Sequence, residues 1–284
     1  MREWLEHNKK KLIFQALIVS NILIWGFFLS LPDGKLHLKF YDVGQGDSIF
    51  LETATGFKIL IDGGPDDKVV GYLGKDLPFY SKRIDLLILT HPEADHLTGL
   101  LEVVKRYHIK TLWINGARNE TRLFAEWEAL LKMNKITTML ISQGDRVVFP
   151  DKTTVTVLWP KEKASGTNLN TTSIVVQISF GSFDAILTGD ADKSAQPFTT
   201  DGRSIEVFKV PHHGSKTAIN EDFVSTLSPG VSVISVGAKN RYGHPSPEVL
   251  NLLTKIRSKT YRTDTNGTVE IVSDGKNWYT RTER

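Results

Sequence analysis

The sequence predicts an α/β protein in which two sheets are sandwiched between layers of helix, preceded by a single apolar helix. Three observations predict it. Strand-like and helix-like stretches alternate in two successive halves after Pro32, a pattern expected of sheets covered by helices. Residues 12–31 form an uninterrupted run of twenty uncharged residues ahead of them. Histidines and carboxylates gather where the apolar runs end. The alternation alone also suits a doubly wound sheet, and composition does not separate the two. The 284 residues suit one large domain or two compact ones. With 40% hydrophobic and 24% charged residues the chain has a core to bury and is not disordered. The absence of cysteine excludes disulfides, thiolate metal sites and a cysteine nucleophile.

The first element is the run 12–31. About twenty residues at 1.5 Å rise cross a hydrocarbon core of roughly 30 Å. Lys9, Lys10 and Lys11 precede it, with Arg2 further upstream. The positive-inside tendency then keeps residues 1–11 in the cytoplasm, makes 12–31 a transmembrane anchor and places 32–284 outside. A cleaved signal peptide is the alternative, but its apolar region is usually only about 7–15 residues and ends in small residues. Ser30-Leu31-Pro32 offers no such site. Taking Arg2 and the three lysines from 35 basic residues leaves 31, and taking Glu3 and Glu6 from 32 acidic residues leaves 30, so the exported part is near neutral.

Short β-rich runs follow at 36–43, 48–52 and 57–61, broken by Gly44-Gln45-Gly46-Asp47 and closed by Asp62-Gly63-Gly64-Pro65. A buried strand is expected at 84–90 and a helix at 97–107. Further signals fall at 111–114 (strand), 122–133 (helix), 136–141 and 153–158 (strands). Residues 173–180 and 183–188 read as a hairpin around Gly181-Ser182. The chain closes with strand 205–210, a helix after Asn220, strand 231–236, helix 247–256 and strands around Thr260 and Val269.

The chemistry lies in four strand-end loops. Thr90-His91-Pro92-Glu93-Ala94-Asp95-His96 packs four ligand-type side chains into six residues between a strand and a helix. In an extended turn His91, Glu93 and Asp95 project to one side, and His96 joins them as the helix begins. Such a set can hold more than one divalent ion; the plainer alternative is Asp95 as a helix cap beside surface histidines. Val210-Pro211-His212-His213-Gly214-Ser215-Lys216, Thr188-Gly189-Asp190 and Arg241-Tyr242-Gly243-His244-Pro245 occupy comparable positions. Five of eight histidines fall in these loops; His7, His37 and His108 do not.

These runs, in this order, resemble the metallo-β-lactamase superfamily, and within it the secreted nuclease-like domain of ComEC-type DNA-internalisation competence proteins. The likeness rests on Phe40–Ser48, Leu60–Gly64, Thr90–Gly99, Asn170–Ser173 with Leu187–Asp190, Val210–Ser215 and Tyr242–Pro247. It implies a four-layer αββα sandwich holding two divalent ions, Zn2+ or Mn2+. His91 and Glu93 would ligate the first ion, Asp95 and His96 the second, with Asp190 bridging. His213 would complete the second site and His212 face substrate, the reverse roles of the adjacent pair remaining open. Asp42, Asp47 and Asp62 would brace the metal loops. Glu93 stands where the superfamily usually has histidine, and no histidine lies between His108 and His212. Asn170 is then the nearest substitute ligand, and an oxygen-rich first site suits harder ions such as manganese.

What the resemblance implies chemically is phosphodiester hydrolysis, in which paired ions about 3.5–4 Å apart lower the pKa of water towards neutrality. Asp95 would orient that water, and His212 or His244 would donate to a phosphate oxygen or the leaving group. Ser215, Lys216 and Arg241 would contact phosphate. The expected function is therefore a membrane-tethered, metal-dependent nuclease acting on DNA outside the cytoplasm in DNA uptake, working beside a separate channel protein. Two alternatives stand: hydrolysis of a smaller phosphoester or lactam, and a degenerate domain that binds without catalysis. The absence of a G-x-S-x-G elbow argues against a serine hydrolase.

Overall fold

The computed structural model describes residues 2–78, 80–162, 169–196, 198, 200 and 202–284, the side chains of residues 2–7 and 29 excepted. Arg2, part of the expected basic flank, thus has its side chain outside the described set. The chain begins with the helix Arg2–Leu29. Its segment Asn8–Phe28 is long and apolar enough to cross a membrane, and none of it is buried against the rest of the protein. At its end the Ser30 hydroxyl lies 2.9 Å from that of Tyr80.

Two sheets follow. The first runs, in spatial order, Trp278–Thr282, Val269–Ser273, Leu36–Phe40, Ile49–Glu52, Lys58–Ile61, Leu86–Ile88, Leu112–Ile114 and Thr138–Leu140. The second runs Lys259–Arg262, Val231–Ile234, Val207–Lys209, Phe183–Leu187, Val175–Phe180, Thr154–Trp159 and Arg146–Val148. Alternation explains their stacking. Leu36, Leu38, Phe40, Ile49 and Leu51 of the first sheet share one core with Val155, Val157, Val176, Ile178 and Ala185 of the second. The opposite faces are buried under helices. Leu60, Leu87 and Phe50 pack with Leu73, Leu97, Leu100 and Trp127 on helices Lys68–Asp76, Ala94–Arg106 and Arg122–Asn134. Ile186, Phe208 and Ile234 pack with Val224 and Leu253 on helices Glu221–Leu227 and Pro247–Lys255. The result is the expected αββα sandwich, not a doubly wound sheet.

Several elements differ from the sequence reading. The helix expected from residue 97 begins at Ala94, inside the ligand run. Helix Lys68–Asp76 and edge strands Arg146–Val148 and Trp278–Thr282 were not expected. What positions the site is strand direction. Lys58–Ile61, Leu86–Ile88 and Leu112–Ile114 are parallel, as are Phe183–Leu187, Val207–Lys209, Val231–Ile234 and Lys259–Arg262. Their carboxyl ends open at one edge of each sheet, where ligand sites form in α/β proteins. Ile174 N–H donating to Thr90 O at 3.0 Å joins the two sheets at that edge.

Candidate metal centre

Each ligand-bearing loop is fixed by the strand before it. Asp62, the first residue after Lys58–Ile61, has a φ of 59° and is fully buried. Its carboxylate accepts from the Thr90 amide at 2.8 Å, the Thr90 hydroxyl at 2.7 Å and His96 Nδ1 at 2.8 Å. A carboxylate only accepts, so Nδ1 carries the proton and His96 Nε2 is free to ligate. Gly46 lets the neighbouring loop close in. Its φ is 152°, and a Cβ there would sit 2.2 Å from Asp95 O.

The loop after Val207–Lys209 turns sharply. His212 (φ 48°), His213 (φ 54°) and Gly214 (φ 82°) all adopt positive φ. Non-glycine residues take that region rarely, and at functional sites where surrounding structure enforces it. The turn sends the two rings apart, at 6.1 Å and 73°. His213 is buried, with Nδ1 on Ser235 O at 2.9 Å, leaving Nε2 3.3 Å from Asp95 and 3.4 Å from Asp190. His212 is partly exposed, its Nε2 3.8 Å from Asp190. The structure thus places His213 inward and His212 towards the cleft.

Ligand-type atoms of Asp95, His96, Asp190 and His213 lie within 4.8 Å of one another. His96 Nε2 is 3.4 Å from Asp190 Oδ1, and neither atom has a hydrogen-bond partner among the described residues although both are buried. Beside them the His91 ring packs 4.2 Å from that of His96. His91 Nε2 is likewise buried without a partner and lies 3.9 Å from Glu93. Asn170 sits on the short turn Asn170–Thr172, and its Oδ1 is a fourth buried acceptor left unpaired. Unpaired buried polar atoms are rare in folded proteins. Several converging imidazole and carboxylate atoms fit divalent cations with nitrogen and oxygen ligands.

Electrostatics point the same way. Burial pushes Asp95 up, but the charge of His96 and a bond from His213 hold it at about 2. Against the same burial, His213 and His96 hold Asp190 well below the carboxylate range. Burial opposes charge on His96 and His213 too, yet Asp190 raises both. Protons on these rings supply positive charge that a metal would otherwise bring. His91 is driven well below its ordinary value by burial and by His96, so it stays neutral, the form that ligates. Burial, then Asp95, raises Glu93.

A cleft of about 730 Å3 opens over this cluster, lined by Glu93, Asp95, His212, His213, Arg241 and His244 among others. The Arg241 guanidinium covers the Tyr242 ring at 5.1 Å, and Tyr242 stacks on His244 at 5.7 Å. Burial and the neighbouring His213 lower His244, which is neutral. Asn240 fixes this loop by donating to His244 O at 2.7 Å.

Other expectations fare differently. Asp95 does not cap its helix: Glu93 holds that position, with no capping bond. Asp42 does not brace a metal loop. Its carboxylate points outward and pairs with Arg284. Ser215 is buried against Thr217, and Lys216 is exposed beyond the cleft lining. The sequence reading missed Lys209, wholly buried beside Asp47 and Asp190. It also missed Asn115, which ties Thr90 O and Thr172 O together. A lysine within an otherwise apolar strand was the available signal for the first; nothing marked the second.

Residues 41–238 match the Metallo-beta-lactamase superfamily model. ComE operon protein 3 of Bacillus subtilis (strain 168) is 31% identical over 92% of this chain and 37% of its own length. Competence protein ComA of Neisseria gonorrhoeae is 25% identical over 85% of this chain and 33% of its own. The chain therefore spans about a third of the length of these curated relatives. A mutant of the CmlA beta-hydroxylase has the same fold, with a TM-score of 0.50 at 14% identity over 80% of this chain and 52% of that one. With the ligand loops converging as described and the family model covering most of its length, the chain belongs to the metallo-β-lactamase superfamily.

Proposed function

We propose that this protein is a membrane-anchored, metal-dependent phosphodiesterase that cleaves DNA outside the cytoplasm. One observation carries the reading: buried, unpartnered His96 Nε2 and Asp190 Oδ1 meet Asp95 and His213 at the floor of an open cleft. Superfamily members are generally metal-dependent hydrolases, and the competence relatives favour DNA as substrate. The apolar N-terminal helix supplies the anchor.

His91, Glu93 and Asn170 would hold the first ion, Asp95, His96 and His213 the second, with Asp190 available to either. Zinc or manganese held there would make water more acidic and neutralise phosphate oxygens. Asp95, ionised and open to the cleft, accepts a hydrogen bond from the attacking water and aims it. His212 donates to a non-bridging oxygen. Neutral His244 donates a ring N–H to the leaving oxygen. Arg241 takes the adjacent phosphate at the rim.

A smaller phosphoester is the second reading. Among the described residues, Arg241 is the one Lys or Arg lining the cleft, and DNA affinity ordinarily draws on several such contacts. Binding that falls steeply with salt supports DNA; flat behaviour supports the small ester. The deciding experiment incubates the full chain in detergent with single- and double-stranded DNA, adding Mn2+ or Zn2+. Cleavage should require metal and fall at least about a hundredfold in Asp190→Ala, in the range set by loss of a catalytic metal ligand. Undiminished cleavage by that variant overturns the centre.

A further inference from the structure

Lys209 ends the strand Val207–Lys209, three residues before His212, and no part of it reaches solvent. A lysine is almost never fully buried unless paired. Its Nζ donates to Gly189 O at 2.7 Å, touches Asp47 Oδ2 and lies 3.8 Å from Asp190 Oδ1. Asp47 is equally buried, and no hydrogen-bond donor among the described residues satisfies its carboxylate, so the ammonium on one oxygen, with His213 Nδ1 3.6 Å from the other, is what balances it. Asp47 is also dangerous to the centre. With Asp62 and His96 it forms a second ligand-type group whose atoms lie within 4.8 Å.

We infer that Lys209 is a positioning residue: its fixed cation holds Asp47 away from the metal ligands and, through Gly189, sets the backbone that presents Asp190. The inference rests on the metal centre proposed above. Charge explains why a cation is needed. Asp47, Asp62, Glu93, Asp95 and Asp190 bring one more negative charge than two divalent ions balance, and Lys209 supplies the remaining positive one. Geometry explains why it is a lysine. The ammonium reaches a carbonyl and a carboxylate from two separate loops that precede it in the chain, drawing the Asp47 turn, the Gly189-Asp190 turn and its own strand together. With the lysine gone, Asp47 turns towards His96 Nδ1, which its Oδ2 already approaches at 4.0 Å. It then competes with Asp62 for the Nδ1–H that orients the ring, and the aim of Nε2 is lost.

A double-mutant cycle tests this on the full chain in detergent, by calorimetric titration with Mn2+ and by circular dichroism of the metal-free protein. Lys209→Met should weaken Mn2+ binding by about tenfold or more, the usual effect of losing a group that orients ligands. Asp47→Asn alone should also weaken it, because the stranded ammonium then turns on Asp190. The double variant should recover to within about threefold of the parent, since neither charge is left unpaired. If the two effects multiply, or if the double variant does not fold, the inference is overturned. Asp190→Ala separates this from the metal reading. If that variant keeps the parent's Mn2+ affinity, the centre itself is wrong. If it loses the metal while the cycle shows no rescue, only the role of Lys209 fails.

Discussion

Replacing Asp62 by Asn should leave the fold standing and disable His96 as a ligand. The carboxylate has Thr90 N–H on one oxygen, and the Thr90 hydroxyl and His96 Nδ1–H on the other. An amide offers one acceptor and one donor. Its NH2 cannot face the Thr90 amide, which can only donate, so it must face the hydroxyl and the imidazole. The hydroxyl can reverse its role. The imidazole can follow only by giving up its proton at Nδ1 and keeping one at Nε2, which removes the lone pair that a bound ion would need on the Asp190 side, 3.4 Å away. Because each donor keeps a partner, metal-free stability should fall by only about 1–2 kcal/mol. Asn also tolerates the positive φ of this position. Metal affinity should fall about 10–100-fold, or roughly 1.4–2.7 kcal/mol. Calorimetric titration with Mn2+ measures the loss, and NMR of the histidine ring nitrogens reports the tautomer. An affinity within about twofold of the parent, or a surviving Nδ1–H resonance, would refute the reasoning.

Other tests are briefer. Adding Mn2+ to about 100 times its dissociation constant should stabilise the native state by about 2.7 kcal/mol. This raises the melting temperature by roughly 5–10 °C, and chelator should reverse it; an unchanged melting curve would show that no ion binds. Gly189→Ala should destabilise the metal-free protein by about 2–4 kcal/mol, since alanine resists the left-handed region and overpacks its neighbours. Its Cβ would meet Ser173 Oγ at 2.3 Å and displace the acceptor of Asp190 N–H; a melting temperature equal to the parent's would count against that packing. His37, far from the cleft, is raised above 6.5 by its bond to Glu270 despite partial burial. A raised folded value means stability fully present below pH 6.5 and lost as pH rises through the folded value. The melting curves of the parent and His37→Gln should therefore differ most in mild acid and converge in alkali. A gap that widens with pH contradicts the assignment.

How much of the fold was legible follows from burial. Strands covered on both faces are predominantly apolar, so Val175–Phe180 and Phe183–Leu187 announced themselves despite Gln177, Ser179 and Asp184, with Gly181-Ser182 between them. The unexpected elements lie where that contrast fades. Lys68–Asp76 contains Gly71 and Gly74, each worth about 1 kcal/mol against a helix. Burial of Val69 and Leu73 under the first sheet overrides that preference. Arg146–Val148 and Trp278–Thr282 are sheet edges with alternately exposed side chains, which read as loop.

The site divides along a similar line. A ligand declares itself when its neighbours in sequence share its task, as His91, Glu93, Asp95 and His96 do. What holds those ligands comes from far along the chain and is chemically ordinary. Asp62 orients His96 from thirty-four residues away, and Ser173 receives the Asp190 amide from seventeen. In sequence each is merely a polar residue beside a strand. Lys209 is the hardest case, because lysine is the residue expected in water. The stretch Val207 to Val210, just past Glu206, nonetheless contained the clue: Val207, Phe208 and Val210 leave no solvent face on that strand, so a lysine among them must find its counter-charge inside. Where a short strand is apolar on both faces, its one charged residue marks an internal partner. Here that partner, Asp47, lies in the Gly44–Asp47 turn, where the family resemblance implies a brace for the metal loops but the sequence does not name the lysine it meets.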